Sequence, residues 1–103
     1  MSPNKRIKLN KIRHQLDKLD NILIKIIKKR TNLVKKVLIL KDKKNQIVDK
    51  KKEIIDNKRI NIILRNIRKK SIANKIDPKI TNRIWKNMIW SYIDYEKRNF
   101  KKR

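Results

Sequence analysis

The chain has 103 residues, which bounds it to a single small domain over residues 1–103, and its formal net charge is +24. It contains no cysteine and no glycine. These absences exclude disulfides, thiolate metal sites and cysteine nucleophiles, and they argue against phosphate-cradling loops and tight hairpins in favour of long helices.

No stretch approaches the roughly 20 apolar residues that a membrane span requires. The most apolar segment, Ile22 to Ile27, is already interrupted by Lys25. The N-terminus, MSPNKRIKLN, lacks the apolar core of a signal peptide, so a cytoplasmic location is expected. The charge has two readings. One is an anionic partner: nucleic acid, acidic lipid or an acidic small molecule. The other is coding bias, because lysine, asparagine and isoleucine all have AT-rich codons. The lysines are scattered through every segment rather than gathered in a tail or block, which favours the bias.

The first element opens at Ser2-Pro3, a good N-cap followed by proline at the first helical position. Apolar residues then recur at Leu9, Ile12, Leu16, Leu19, Leu23, Ile26, Leu33, Val37 and Leu40, with Arg30 in the series. The steps alternate three and four without a slip. This heptad seam predicts one long helix over about residues 4–41, roughly 57 Å at 1.5 Å per residue. A small monomer cannot cover such a seam, so an intertwined homodimer is expected. Residues 42–53 are nearly all polar and read as a long connection. A second helix is predicted over about 54–73, with Ile55, Ile60, Ile63 and Ile67 on one side, and Asn74 as a left-handed C-terminal residue. Asp77-Pro78 opens a third helix running to about Phe100, with Ile80, Ile84 and Met88 beside Trp85, Ile89 and Tyr92. The fold class is therefore all-α: one very long and two medium helices.

Several residues break the pattern. Arg30 occupies a seam position, where a guanidinium is costly unless it meets an anion. That anion is either a ligand or a carboxylate from another helix that sets the register. Arg13 and Lys41 both fall one place after a seam position, on the flank of Ile27 and Val34; solvent exposure is the plain alternative for each. Asp56 and Arg59 are three apart, the spacing of an intrahelical ion pair. Tyr92 and Glu96 are one turn apart on the face of Trp85 and Ile89, where a glutamate is odd unless it reaches water near the helix end. His14 is the single histidine, and without cysteines or clustered carboxylates it makes no metal site. The aromatics of the third helix read as core rather than as a base-stacking platform.

The ordered set Arg13, Arg30, Lys41, Asp56, Arg59 and Glu96 resembles the active-site series of the all-helical chorismate mutases. The long helix carries Ile12-Arg13-His14-Gln15-Leu16-Asp17-Lys18-Leu19-Asp20, then Arg30-Thr31-Asn32-Leu33 through Val37, then Lys41, spaced as in the family without a gap. Asp56-Asn57-Lys58-Arg59 is similar to the family's D-x-x-R, and Ile76-Asp77-Pro78 and Ile84-Trp85 through Glu96 follow in register. Three features depart from the pattern: a longer connection after Lys41, Ile60 in place of a glutamate, and Glu96 in place of a glutamine. The segments Arg59 to Leu64 and Tyr92 to Glu96 look closer to the related isochorismate pyruvate-lyases.

The resemblance implies an intramolecular rearrangement of chorismate to prephenate, in phenylalanine and tyrosine biosynthesis, without cofactor or metal. It implies that Arg30 and Arg13 grip carboxylates, with Arg13 donated by the partner subunit. Lys41 would bind a carboxylate and the ether oxygen, Arg59 would support that cluster, and Asp56 would take the hydroxyl. Tyr92 would line the substrate, and Glu96 would face the ether oxygen. A seam cation such as Arg30 is then tolerable because the seam borders a dianion. Burial would raise the Glu96 pKa and the neighbouring cations would lower it. The competing class is a basic helical nucleic-acid-binding protein. Its support is the charge; against it, the basic residues are dispersed and no binding motif is present, so nucleic acid and membrane are not expected partners.

Overall fold

The structure, a computed structural model, describes residues 2–44 and 56–100, and the regular elements among them are all helices. In chain order these are α1 (Pro3–Lys44), α2 (Asn57–Ala73) and α3 (Pro78–Phe100). The all-α arrangement of one very long and two medium helices is as the periodicity predicts. None of the helices is long and apolar enough, among the described residues, to cross a membrane.

α1 has 42 residues, about 63 Å at 1.5 Å per residue. Ser2 caps it: its Oγ accepts from the Lys5 N–H at 3.2 Å, and its carbonyl accepts from the Arg6 N–H at 3.0 Å. The helix runs on through Asp42, Lys43 and Lys44, residues expected in the connection. The rest of that connection, and Ile54 and Ile55 of the second helix, lie outside the described residues.

α2 begins at Asn57 because Asp56 is its N-cap, with an extended backbone at φ −102°, ψ 91°. Its other end corrects the expectation for Asn74. Asn74 has φ −95°, and the left-handed residue is Lys75, at φ 58°. The Ile76 N–H bonds the Ser71 carbonyl at 2.8 Å and the Lys75 N–H bonds the Ile72 carbonyl at 3.1 Å. This is a Schellman turn, and it needs a positive φ one residue beyond the C-cap. A chain without glycine has to place an ordinary side chain there. α3 starts as predicted: Asp77 Oδ1 accepts from the Lys79 N–H at 2.9 Å, with Pro78 in the first helical position.

The chain divides into two compact units, residues 1–34 and 35–103. The first is a single stretch of α1. Its seam residues Ile12, Leu16, Leu19, Leu23, Ile26 and Leu33 are all more than half exposed, as are Ile22 and Ile24 off the seam. The second unit holds the end of α1 and the antiparallel hairpin of α2 and α3. Near the turn, Ser71 is buried and its Oγ lies 2.7 Å from Thr81 Oγ1. The Ser71 hydroxyl also bonds the Ile67 carbonyl at 2.6 Å and the Thr81 hydroxyl the Pro78 carbonyl at 3.3 Å, so either hydroxyl can supply the proton between them. Farther from the turn, Leu38, Ile89 and Ile93 form the core, with Ile60, Ile63, Leu64 and Tyr95 packed against them.

Candidate active site

Ser71 and Thr81 fix the register of the hairpin. With equal rise along both helices away from the turn, Ile60 falls level with Tyr92, and Asp56 level with Glu96. The open end of the hairpin therefore gathers four of the expected site residues: Asp56 and Arg59 from the start of α2, Tyr92 and Glu96 from α3.

Asp56 and Arg59 are both exposed. Their proximity takes another form than the expected side-chain ion pair. Asp56 Oδ1 accepts a hydrogen bond from the Arg59 backbone N–H at 3.0 Å, satisfying one of the open donors of the first turn. A carboxylate has several lone pairs, so this cap leaves acceptor capacity facing solvent. The Arg59 guanidinium is carried at the helix N-terminus, where the backbone dipole adds to its attraction for anions.

Glu96 does not reach water, although it lies near the end of α3. It is buried, with 7% of its surface exposed. It falls seven residues after Ile89 and three after Ile93, which places a carboxyl on the core-facing side of the helix. Tyr92, one turn earlier, is half-buried. A buried carboxyl beside apolar residues is a hydrogen-bond donor when protonated and an acceptor when ionised. Lys41 belongs to the last turn of α1, and its side chain lies outside the described residues.

Arg13 and Arg30 belong to the first unit. Arg13 is exposed on α1 and Arg30 is half-buried. The next residue, Thr31, turns its hydroxyl back onto the Ile27 carbonyl at 2.8 Å. His14 is exposed, as expected for a solvated helix residue.

Two core positions were not anticipated from the periodicity. Leu38, 2% exposed, lies one place after the seam residue Val37, so within the second unit it is Leu38 and not Val37 that packs in the core with Ile89 and Ile93. Ile93 was the available signal on α3, four residues after Ile89 and three before Glu96. The Ser71–Thr81 pair has no signature in an apolar pattern.

An all-α chain of one long helix followed by a helical hairpin, with cations along the first and a carboxyl buried in the second, has the architecture of the all-helical mutases. The family model for chorismate mutase type II matches residues 12–97, from the residue before Arg13 to the residue after Glu96, and the chain belongs to that family. Membership makes it a chorismate mutase in the general sense, an isomerase class whose substrate is chorismate. No curated protein and no solved structure matched the chain.

Proposed function

We propose that the protein rearranges chorismate to prephenate as an intertwined homodimer, within the synthesis of aromatic amino acids and in the cytoplasm. The observation that carries this reading is the family match over residues 12–97, a stretch that contains Arg13, Arg30, Lys41, Asp56, Arg59 and Glu96.

The reaction breaks the ether C–O bond as a C–C bond forms within one molecule, so it calls for no nucleophile and no external proton. The protein's task is to fold the substrate into a reactive conformer and to stabilise charge that appears on the ether oxygen. Chorismate carries two carboxylates, and arginine matches their geometry with paired N–H donors. Arg30 and the partner subunit's Arg13 hold these carboxylates. Lys41 binds a carboxylate and the ether oxygen, Arg59 reinforces the positive field, and Asp56 accepts from the hydroxyl with the capacity its capping bond leaves. Glu96 donates to the ether oxygen in its protonated form, and Tyr92 lines the same end of the hairpin.

The exposed face of α1 supports the dimer. Monomers rarely leave so long a contiguous apolar surface to water. Between Ile22 and Ile27 the exposed Ile22, Leu23, Ile24, Ile26 and Ile27 extend round more than one side of the helix. A helix apolar over so wide an arc is stable when several elements cover it, more than a single facing stripe provides.

The test is loss of the chorismate ultraviolet absorbance on adding the protein at moderate salt, with prephenate as the product. Release of pyruvate from isochorismate, without turnover of chorismate, assigns the chain instead to the lyase reading of the same fold.

A further inference from the structure

Some of the basic residues form a stripe on one face of the hairpin. Lys79, Arg83, Lys86 and Trp90 succeed one another along α3 at steps of four, three and four, which aligns them in one stripe. The three cations are exposed, and Trp90 is 52% exposed. The stripe is turned by about 100° from Ile89, the core residue next to Trp90 in sequence. At its turn end it meets α2 in a cleft of about 310 Å³, lined by Leu64, Arg65, Arg68, Pro78, Lys79 and Asn82. α2 contributes basic residues and no acidic one. Along the stripe, Asp94 is the neighbouring acid, and its carboxylate is held by Arg98 at 3.0 Å.

We infer that this face of the α2–α3 hairpin binds single-stranded nucleic acid, with Trp90 stacking on a base and Lys79, Arg83, Lys86 and the Arg65–Arg68 cleft taking the phosphates. The inference is separate from the proposed catalysis, because the cleft lies at the turn end of the hairpin and Asp56 and Glu96 lie at the other. Coding bias loads lysine, asparagine and isoleucine onto a surface; it does not load tryptophan, whose codon is G-rich. An indole in a row of cations suits a strand whose bases offer π-faces and whose phosphates offer charge, independently of sequence. It does not suit a lipid surface. Insertion needs an apolar face around the aromatic residue, and on the exposed side Trp90 has Lys86, Asn87 and Asp94 within one turn.

The experiment is a titration of fluorescently labelled (dT)20 by anisotropy at physiological salt. It compares the full-length wild type with W90A, with R83Q/K86Q, and with K5Q/K8Q, which removes equal charge from the start of α1. Inorganic polyphosphate serves as a chain with charge and no bases, and phosphatidylserine vesicles serve as the lipid surface. Circular dichroism and sedimentation confirm that each variant keeps its fold and mass. W90A is expected to weaken (dT)20 binding roughly fivefold to a hundredfold and to leave polyphosphate binding unchanged. R83Q/K86Q is expected to weaken both, and more than K5Q/K8Q does. Chorismate turnover by W90A should equal that of the wild type. The inference is overturned if W90A binds (dT)20 like the wild type or loses both polymers equally. It is overturned too if the two double variants are equivalent, if Trp90-dependent binding is found on vesicles instead, or if W90A changes the sedimenting mass, which would place Trp90 between copies of the chain.

Discussion

Replacing Glu96 by glutamine tests the proposed chemistry at one atom. Glu96 is 7% exposed and shares a helix face with Ile89 and Ile93, so the substituted side chain, nearly identical in shape, should occupy the same place. Charge accumulates on the ether oxygen in the transition state, and only a hydrogen-bond donor there lowers the barrier. Protonated glutamate donates; ionised glutamate accepts, and repels that charge. One preorganised donor to a developing oxyanion is worth about 2.7–4 kcal/mol, or roughly 10²–10³ in kcat. The sign follows from which form is active. Wild-type activity is full below the titration of the carboxyl and falls up to tenfold per pH unit above it, to a limit set by that factor. Glutamine keeps an amide donor at every pH. The assay is chorismate absorbance at saturating substrate from about pH 5 to about pH 9, with melting curves at each point. Glu96→Gln should give a flat profile and exceed the wild type at neutral and mildly alkaline pH. A wild type that is pH-independent in this range, with Glu96→Gln slower throughout, would show that Glu96 is not the ether-oxygen donor and that α3 is out of register with the family series.

The other expectations concern assembly, charge and backbone. Sedimentation at micromolar concentration should give a dimer mass, because the seam residues Ile12, Leu16, Leu19, Leu23, Ile26 and Leu33 are more than half exposed in the single chain; a folded, active monomer refutes it. Arg30→Ala should abolish turnover and leave the dimer folded. If Arg30 instead serves a structural carboxylate, its loss costs about 3–5 kcal/mol and appears as a large fall in melting temperature with activity per folded dimer retained. Co-refolding Arg13→Ala with Lys41→Ala subunits should restore one intact site per heterodimer; heterodimers without activity refute the donation of Arg13 across the interface. Lys75→Gly should stabilise the turn by about 1 kcal/mol, since φ 58° penalises a side chain and suits glycine. In a chain this size that raises the melting temperature by roughly 4–8 °C. Asn74→Gly, at φ −95°, should not do so, and equal effects at the two positions would refute the assignment.

What the sequence by itself determined was whatever a few neighbouring residues decide. Helix starts at Ser2-Pro3 and Asp77-Pro78 were legible because a cap is made between residues two or three apart, and the structure shows those bonds at 3.2 and 2.9 Å. The long first helix was legible because its apolar period holds over the whole stretch. The family was legible because the spacing of motifs along the chain survives without any knowledge of contacts, and the family match covers residues 12–97. The tertiary structure decided which side of each helix is covered, a question that periodicity leaves open. It placed Leu38 and not the seam residue Val37 in the core, because the core forms where α2 and α3 supply Ile60, Ile89 and Ile93. It gave the left-handed turn residue to Lys75 and not Asn74, because the carbonyls of Ser71 and Ile72 had to be met from Ile76 and Lys75. Asp56 was given a backbone donor in place of a guanidinium, since the open N–H groups of a helix start take the nearest carboxylate. Glu96 and Trp90, both out of place by residue type, were exchanged between core and surface, with the carboxyl buried and the indole exposed. A side chain's surroundings come from residues distant in sequence, and these two positions were settled only when α2 folded back along α3.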